Sequence, residues 1–355
     1  MTTCRPRLAL LPSHPAQFWI MHALVPSLEE FCQPIWVVRD KDILLQVADH
    51  LDVQYHVLSQ AQSGLWRNGT TLLRDVMRAR KLQRELDIDL WFTKYGAACM
   101  AAKLAGRQAV AFNDDDVDIV PLIAWTAYPF ARTVLCPDTT RMGRFDKRTT
   151  RFTGNFELVY LHPARFAADA SVLGDVGIDT EEPFALVRLS ALTAHHDIGV
   201  KGVSESFLRE LLALCDQRIR LFISSEKPLS AEFEEYRLPI APHHIHQVMA
   251  QACFVVGDSQ TMTVEAAMLG TPALRISSFV GRLSYIDEVE RYQLAHGYQP
   301  GNETNALEQI ASLIEDTNAT RATYRTRLDQ FIKDKGDPLP KIVDCLRQAV
   351  EDIER

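Results

Sequence analysis

Short apolar runs alternate with stretches of helical periodicity along this chain, and the alternation occurs twice. A strand that is followed by a helix and then by another strand usually returns parallel to the first. Sustained alternation therefore specifies a parallel sheet with helices packed on its faces. In the first block, apolar runs at 7–11, 35–38, 54–58, 90–93, 109–112 and 133–136 read as strands. Helical patterns at 16–31, 42–50, 70–86 and 97–105 separate them, with Pro26 expected to kink the first. On the helix over 70–86, Leu73, Val76, Met77, Arg80 and Leu82 fall near helical spacing. In the second block strands are expected at 184–189, 219–224, 254–256 and 273–276. Helices are expected at 205–215, 246–251 and 260–269, and helices dominate from 303 onward.

At 355 residues the chain is too long for one ordinary domain and suits two. The expected division is a Rossmann-like domain over 1–163, a linker over 164–182 and a second Rossmann-like domain over 183–337. A final helix, 338–355, is expected to cross back onto the first domain. A net charge of −8 argues against nucleic acid as a partner, because that role needs a basic stripe. A small anionic ligand is still allowed, since a few local donors can hold it. The seven cysteines are scattered and never spaced as C-x-x-C, so neither a disulfide framework nor a zinc site is expected. Pro12, His14 and Pro15 interrupt the first apolar stretch, and no segment reaches the length of a membrane span, so a cytoplasmic location is expected.

The most informative stretch is GDSQTMTVEAAMLGTP, which runs from Gly257 to Pro272 after an apolar strand. Asp258 or Ser259 can cap the helix that follows, leaving the amides of Gln260 and Thr261 at the positive end of its dipole. Such a helix start suits a phosphate or diphosphate. Glu265 lies one turn on from Thr261, where it can accept hydrogen bonds from a ribose diol. Gly270 reads as a left-handed cap, and Pro272 bars further helix. A well-capped core helix explains everything here except Glu265, which a solvent-facing position would explain.

This segment resembles the donor-nucleotide segment of GT-B-fold enzymes. The peptidoglycan lipid-linked N-acetylglucosaminyltransferase and the non-hydrolysing UDP-N-acetylglucosamine 2-epimerases carry versions of it. The resemblance implies an α/β chain of GT-B architecture, with two facing Rossmann-like domains, parallel sheets and an interdomain cleft. It also implies that Ser259, Gln260 and Thr261 hold the diphosphate and Glu265 the ribose. The epimerases usually show two glycines after the serine; Gln260 and Thr261 stand there instead, which favours transfer over epimerisation. The chain as a whole is similar to a bacterial and archaeal family of GT-B-like proteins with no settled activity. Its members share an HPA loop, here His14-Pro15-Ala16, a strand ending in arginine, here Arg188, and the helix start at Ser259 to Met262.

Other constellations fall at expected sheet edges, where open parallel sheets bind ligands. Ser13 and His14 follow the first strand, and His14 is either the base that deprotonates an acceptor hydroxyl or a helix cap. After Arg188, a polar loop carries His195, His196, Asp197 and Lys201, suited to a diphosphate and its departure, or simply solvated. The loop lacks a well-placed third ligand for zinc. His246 is a candidate contact for the base or phosphate, with capping as the alternative. Asp114, Asp115, Asp116 and Asp118 can hold Mg²⁺, supply a base or cap a helix, and Lys94 is expected beside them. Residues 117–136, with Trp125, Tyr128 and Phe130, read as a membrane-docking segment or as buried helix and strand.

The expected function is glycosyl transfer from a nucleotide-sugar, a UDP-sugar by resemblance, to a sugar or lipid-linked acceptor, as in surface polysaccharide assembly. Arg188, His246, Ser259, Gln260, Thr261 and Glu265 would bind the nucleotide, and Ser13, Lys94 and Lys201 the rest of the substrates. His14, Asp114 and His196 would do the chemistry, with no cofactor and no metal. A UDP-sugar epimerase or hydrolase, and a non-catalytic nucleotide-sugar binding protein, are the alternatives.

Overall fold

The computed structural model describes residues 5–40, 43–60, 68–175, 177–180, 182–190, 202–216, 218–226 and 228–354. The chain divides into two compact units, Met1–Tyr160 with Asp337–Arg355, and Leu161–Gly336.

The first unit opens with β1 (Arg7–Leu11), α1 (Pro15–Leu28), β2 (Gln33–Asp40), α2 (Leu44–His50), β3 (Tyr55–Gln60) and α3 (Asn68–Glu85). It continues through β4 (Leu90–Thr93), α4 (Gly96–Leu104), β5 (Gln108–Phe112), α5 (Pro121–Thr126), β6 (Thr133–Pro137) and β7 (Thr149–Phe152). A short helix, α6 (Leu158–Leu161), ends this stretch. The seven strands are all parallel, in the order β3-β2-β1-β4-β5-β6-β7. One face of the sheet is covered by α3, α4 and α5, whose Val76, Ala79, Ala98, Ala101 and Ala124 share a core with Ala9, Trp91 and Ala111 of the strands.

The second unit contains α7 (Ser171–Asp175), β8 (Phe184–Leu189), α8 (Glu205–Cys215), β9 (Arg220–Ser225), α9 (Ile245–Gln251) and β10 (Val255–Gly257). There follow α10 (Gln260–Met268), β11 (Ala273–Ile276), α11 (Ser284–Arg291), β12 (Ala295–Tyr298), α12 (Glu303–Glu315) and α13 (Thr317–Lys335). Its five parallel strands run β12-β11-β10-β8-β9. The last helix, α14 (Leu339–Glu354), packs in the first unit against α1, β5 and β7. Both sheets are of the doubly wound, Rossmann-like type.

Two strands go beyond the sequence reading, β7 and β12, and each lies at one edge of its sheet. Edge strands are half solvated, so Thr-Thr-Arg-Phe and Ala-His-Gly-Tyr carry little of the apolar signal that betrays a central strand. The face of α3 is also rotated from the expected one. Leu72, Val76, Ala79 and Leu82 turn inward, while Leu73 and Met77 are exposed. The inward face carries two polar residues, Asp75 and Gln83, both buried. Among the described residues no helix is long and apolar enough to cross a membrane.

Burial holds the thiols of Cys32 and Cys99 up at about 12 and that of Cys136 at about 11, so these side chains behave as small hydrophobes. Burial also lowers the pKa of His22 on α1 and of His296 on β12, the latter helped by the Arg327 charge. A depressed histidine pKa stabilises the fold above the usual 6.5 and loses that contribution as pH falls toward the folded value. Stability should therefore drop between pH 7.5 and 5.5, by at most about 1.4 kcal/mol per pH unit for each proton, and the melting temperature with it. His22→Phe with His296→Gln should flatten that slope in calorimetry. An unchanged slope would place the acid sensitivity elsewhere.

Candidate functional site

In the second unit, chain order reverses between β8 and β10. The chain moves outward to β9 on one side and to β11 and β12 on the other. The carboxyl ends of strands at such a switch point form the natural ligand crevice of a doubly wound sheet. Arg188, near the end of β8, stands in register with Gly257 at the end of β10. Gly257 is required there, because a Cβ would lie 2.2 Å from the Arg188 carbonyl oxygen. Asp258 then turns back, and its Oδ1 accepts the Ser190 amide at 2.7 Å. Asp258 thus braces the segment after β8, and Ser259 is the residue that caps α10. The Ser259 hydroxyl accepts the Met262 amide at 3.3 Å. No acceptor among the described residues takes the amides of Gln260 and Thr261. They are the first two donors of a capped helix, and they sit at the crevice.

The helix is locked at its other end. Gly270 adopts φ +71, its amide bonds the Ala267 carbonyl at 3.0 Å, and the Thr271 amide bonds Ala266 at 2.9 Å. That reciprocal pair is a Schellman cap. Every residue from Met262 to Met268 is buried, so α10 has no solvent face over this stretch. Glu265 is therefore buried, against the reading that would set it toward water. His246 of α9 is buried with it, and the Nε2 of His246 lies 3.0 Å from Glu265 Oε1. Against an ionised carboxylate, which can only accept, Nε2 would be the donor of this pair. The structure joins two residues that the sequence treats separately. His246 holds the Glu265 carboxylate in place.

Arg188 is more committed than a bare diphosphate ligand would be. Its guanidinium bonds Ser224 Oγ at 2.8 Å and pairs with Glu226 on the neighbouring strand's end, leaving Nε without a partner among the described residues. His195, His196, Asp197 and Lys201 lie outside the described residues.

The first unit has its own switch point, between β1 and β4. Ser13 and His14 follow β1 there, and Lys94 follows β4. His14 caps α1: its Nδ1 accepts the Ala16 amide at 3.2 Å. Gln17 completes the turn, its Oε1 taking both the amide and the hydroxyl of Ser13, at 2.9 and 3.1 Å. A neutral imidazole that accepts at Nδ1 carries its proton on Nε2. In this arrangement Nε2 is a donor, which differs from the acceptor that a general base needs. Below it, Thr93 Oγ1 donates to the Leu11 carbonyl at 2.9 Å and accepts the Tyr95 amide at 2.9 Å, stitching the ends of β1 and β4 together.

Lys94 bridges Asp114 and Asp115 at 2.7 and 2.8 Å. Burial pulls its pKa down, but the charges and hydrogen bonds of the two aspartates outweigh that and leave it above the ordinary lysine value. The lysine is thus the cation that these carboxylates hold. Asp116 is fully buried and turned away, paired with Arg141 through its side chain and amide, each at 2.7 Å. No side chain makes a cap hydrogen bond at the start of α5. Among the described residues no group of three or more His, Cys, Asp or Glu side chains could hold a metal ion.

Two polar clusters escape the sequence reading. Asp75 Oδ2 accepts from Ser59 at 2.8 Å and from the Tyr95 hydroxyl at 2.7 Å, and Arg39 lies over the Tyr95 ring at 4.2 Å. The fully buried Arg275 of β11 pairs with Glu290 at 3.5 Å, and Asp287 adds its charge. Both left a trace. Asp75 stands on the apolar face of a helix, and Arg275 interrupts the strand Ala-Leu-Arg-Ile.

No protein-family model and no curated protein matches this sequence. Solved structures do match its fold. A putative UDP-N-acetylglucosamine 2-epimerase from Listeria monocytogenes superimposes with a TM-score of 0.68 at 14% identity, covering 99% of this chain and 98% of that one. The UDP-GlcNAc 2-epimerase from Neisseria meningitidis, solved bound to UDP-GlcNAc, gives 0.63 at 10% identity, covering 98% and 100%. The spinosyn rhamnosyltransferase SpnG, solved with spinosyn aglycone, gives 0.58 at 10% identity, covering 95% and 98%. The fold is that of the GT-B enzymes, epimerases and glycosyltransferases alike.

Proposed function

We propose that this chain is an enzyme that uses a UDP-sugar, and that its reaction is glycosyl transfer. The observation that carries the reading is the start of α10. Two amides that no described residue accepts meet the switch point of a GT-B-type sheet, one turn before a buried glutamate paired with a histidine. Gln260 and Thr261 would take the diphosphate, with Ser259 and Arg188 beside it, and Glu265 the ribose hydroxyls. Asp114 would accept the proton of the acceptor hydroxyl through the oxygen that Lys94 does not take. His14 would contribute through Nε2, while Ser13 and Lys94 position the acceptor side. His196 and Lys201 complete the proposed set. The acceptor is a sugar or a lipid-linked sugar.

Epimerisation is the second reading, favoured by the higher structural similarity to the Listeria and Neisseria epimerases than to the rhamnosyltransferase. The replacement of two glycines by Gln260 and Thr261 supports transfer. Products separate the two: UDP with a glycosylated acceptor means transfer, and a new sugar still on UDP means epimerisation. UDP with free sugar means hydrolysis, and binding without turnover means a sensor.

UDP should raise the melting temperature, by the equivalent of about 2.7 kcal/mol at one hundred times its dissociation constant. Glu265→Gln should weaken UDP by about 1.5–3 kcal/mol in calorimetry, because the charged acceptor is lost. The amide oxygen still accepts from His246, so the fold should hold. No thermal shift with UDP, GDP or CMP at millimolar concentration would sink the nucleotide-sugar reading. A Glu265→Gln affinity equal to wild type would confine that residue to a structural pair with His246.

A further inference from the structure

We infer that the helical layer formed by α3, α4 and α5 docks on an anionic lipid surface. The three helices pack side by side over one core of the first unit. Five of the seven large apolar side chains left exposed among the described residues stand on them. Leu73 and Met77, on successive turns of α3, are 69% and 62% exposed, Leu104 on α4 is 63%, and Leu122 and Trp125 on α5 are 51% and 55%. Scattered apolar residues on a surface need no explanation, but this concentration on one layer does.

The charge on the layer is equally uneven. Five cations on α3 stand against Asp75 and Glu85, α4 adds Lys103 and α5 carries no charge, so the three helices hold a formal +4. The whole chain carries −8. Asp75 is fully buried but pairs with Arg78 at 3.7 Å, so the formal +4 already includes it. Arg74, Arg78 and Lys81 line a groove of about 400 Å³ against Val57, Ser59 and Gln60 of β3. Trp125 adds an amphipathic ring, with the Arg144 guanidinium 4.6 Å from its centroid.

A membrane interface rewards both features together. Cations gather at lipid phosphates while leucine, methionine and tryptophan enter the boundary with the acyl chains. A nucleic acid would use the cations and gain little from the leucines. A second copy of this chain would bury the leucines but set +4 against +4. The layer lies in the first unit and the UDP reading rests on the second, so the two proposals fail separately.

Co-sedimentation of the full chain with lipid vesicles is the test. Binding is expected to vesicles of phosphatidylcholine with phosphatidylglycerol, and not to phosphatidylcholine alone, and high salt should weaken it. Arg74→Glu with Lys81→Glu should weaken it by about tenfold or more, and so should Leu73→Ser with Met77→Ser. All four side chains are exposed, so melting temperature should stay at the wild-type value and confirm that the variants fold. No binding to the anionic vesicles, or equal binding by both variants, overturns the proposal. So does sedimentation velocity showing a wild-type dimer that Leu73→Ser with Met77→Ser turns into a monomer, since the face would then belong to a second copy.

Discussion

Replacing Lys94 by Met should cost the protein about 3 kcal/mol, a drop in melting temperature of about 6–12 °C. The lysine holds Asp114 and Asp115 together at 2.7 and 2.8 Å, in a place where its own side chain is only 11% exposed. Removing the ammonium leaves two carboxylates side by side without the cation that bridges them and short of full solvent, and that repulsion with its desolvation dominates the loss. The aspartates retain some exposure, which puts the figure at the low end for a broken buried pair. The sign with pH follows from the raised lysine value: the contribution is complete below the ordinary lysine range and lost only at strongly alkaline pH. Lys94→Met combined with Asp114→Asn and Asp115→Asn should recover most of the stability, because no uncompensated charge remains. A stable single variant would mean that the carboxylates find water or another donor, and that the trio is not what sets this sheet edge.

The central strands of both sheets were legible because burial on two faces writes a run of apolar residues. Leu90–Thr93, Phe184–Leu189 and Ala273–Ile276 fall where the sequence puts them. The edge strands β7 and β12 lack that run, and α11 hides in the polar text Ser-Tyr-Ile-Asp-Glu-Val-Glu-Arg. For the sites, placement was legible and partnership was not. A polar residue just past a strand must reach the carboxyl edge, which locates Ser13, Lys94, Asp114 and Ser259 without any contact being known. Whether that residue faces a ligand or another side chain depends on packing across elements distant in sequence. His246 and Glu265 are 19 residues apart and meet only because α9 packs on α10. Glu226 claims part of Arg188 across two strands in the same way. The rotated face of α3 has a different cause. Leu73 and Met77 satisfy helical spacing as well as Val76 and Ala79 do. A helix with apolar residues on two sides cannot reveal from periodicity which side is inward.

Changing His14 to Asn should lower turnover by about 10²–10⁴-fold while leaving the melting temperature and UDP affinity near wild type. The choice of asparagine follows from the cap. His14 Nδ1 accepts the Ala16 amide at the start of α1, and Asn is among the best residues for that position. His14→Ala would remove cap and ring together, at about 1 kcal/mol of stability, and would confound the two roles. Asparagine keeps the cap and deletes only the second ring nitrogen, the one proposed to act. The rate would be followed as UDP release from the sugar nucleotide that the wild type consumes. If the asparagine variant turns over normally, His14 is a capping residue alone. The chemistry of the first unit then rests on Asp114, whose carboxylate Lys94 already holds at the same edge of the sheet. If asparagine and alanine lose rate equally but only alanine loses stability, the ring's Nε2 takes part in the reaction and its Nδ1 in the fold.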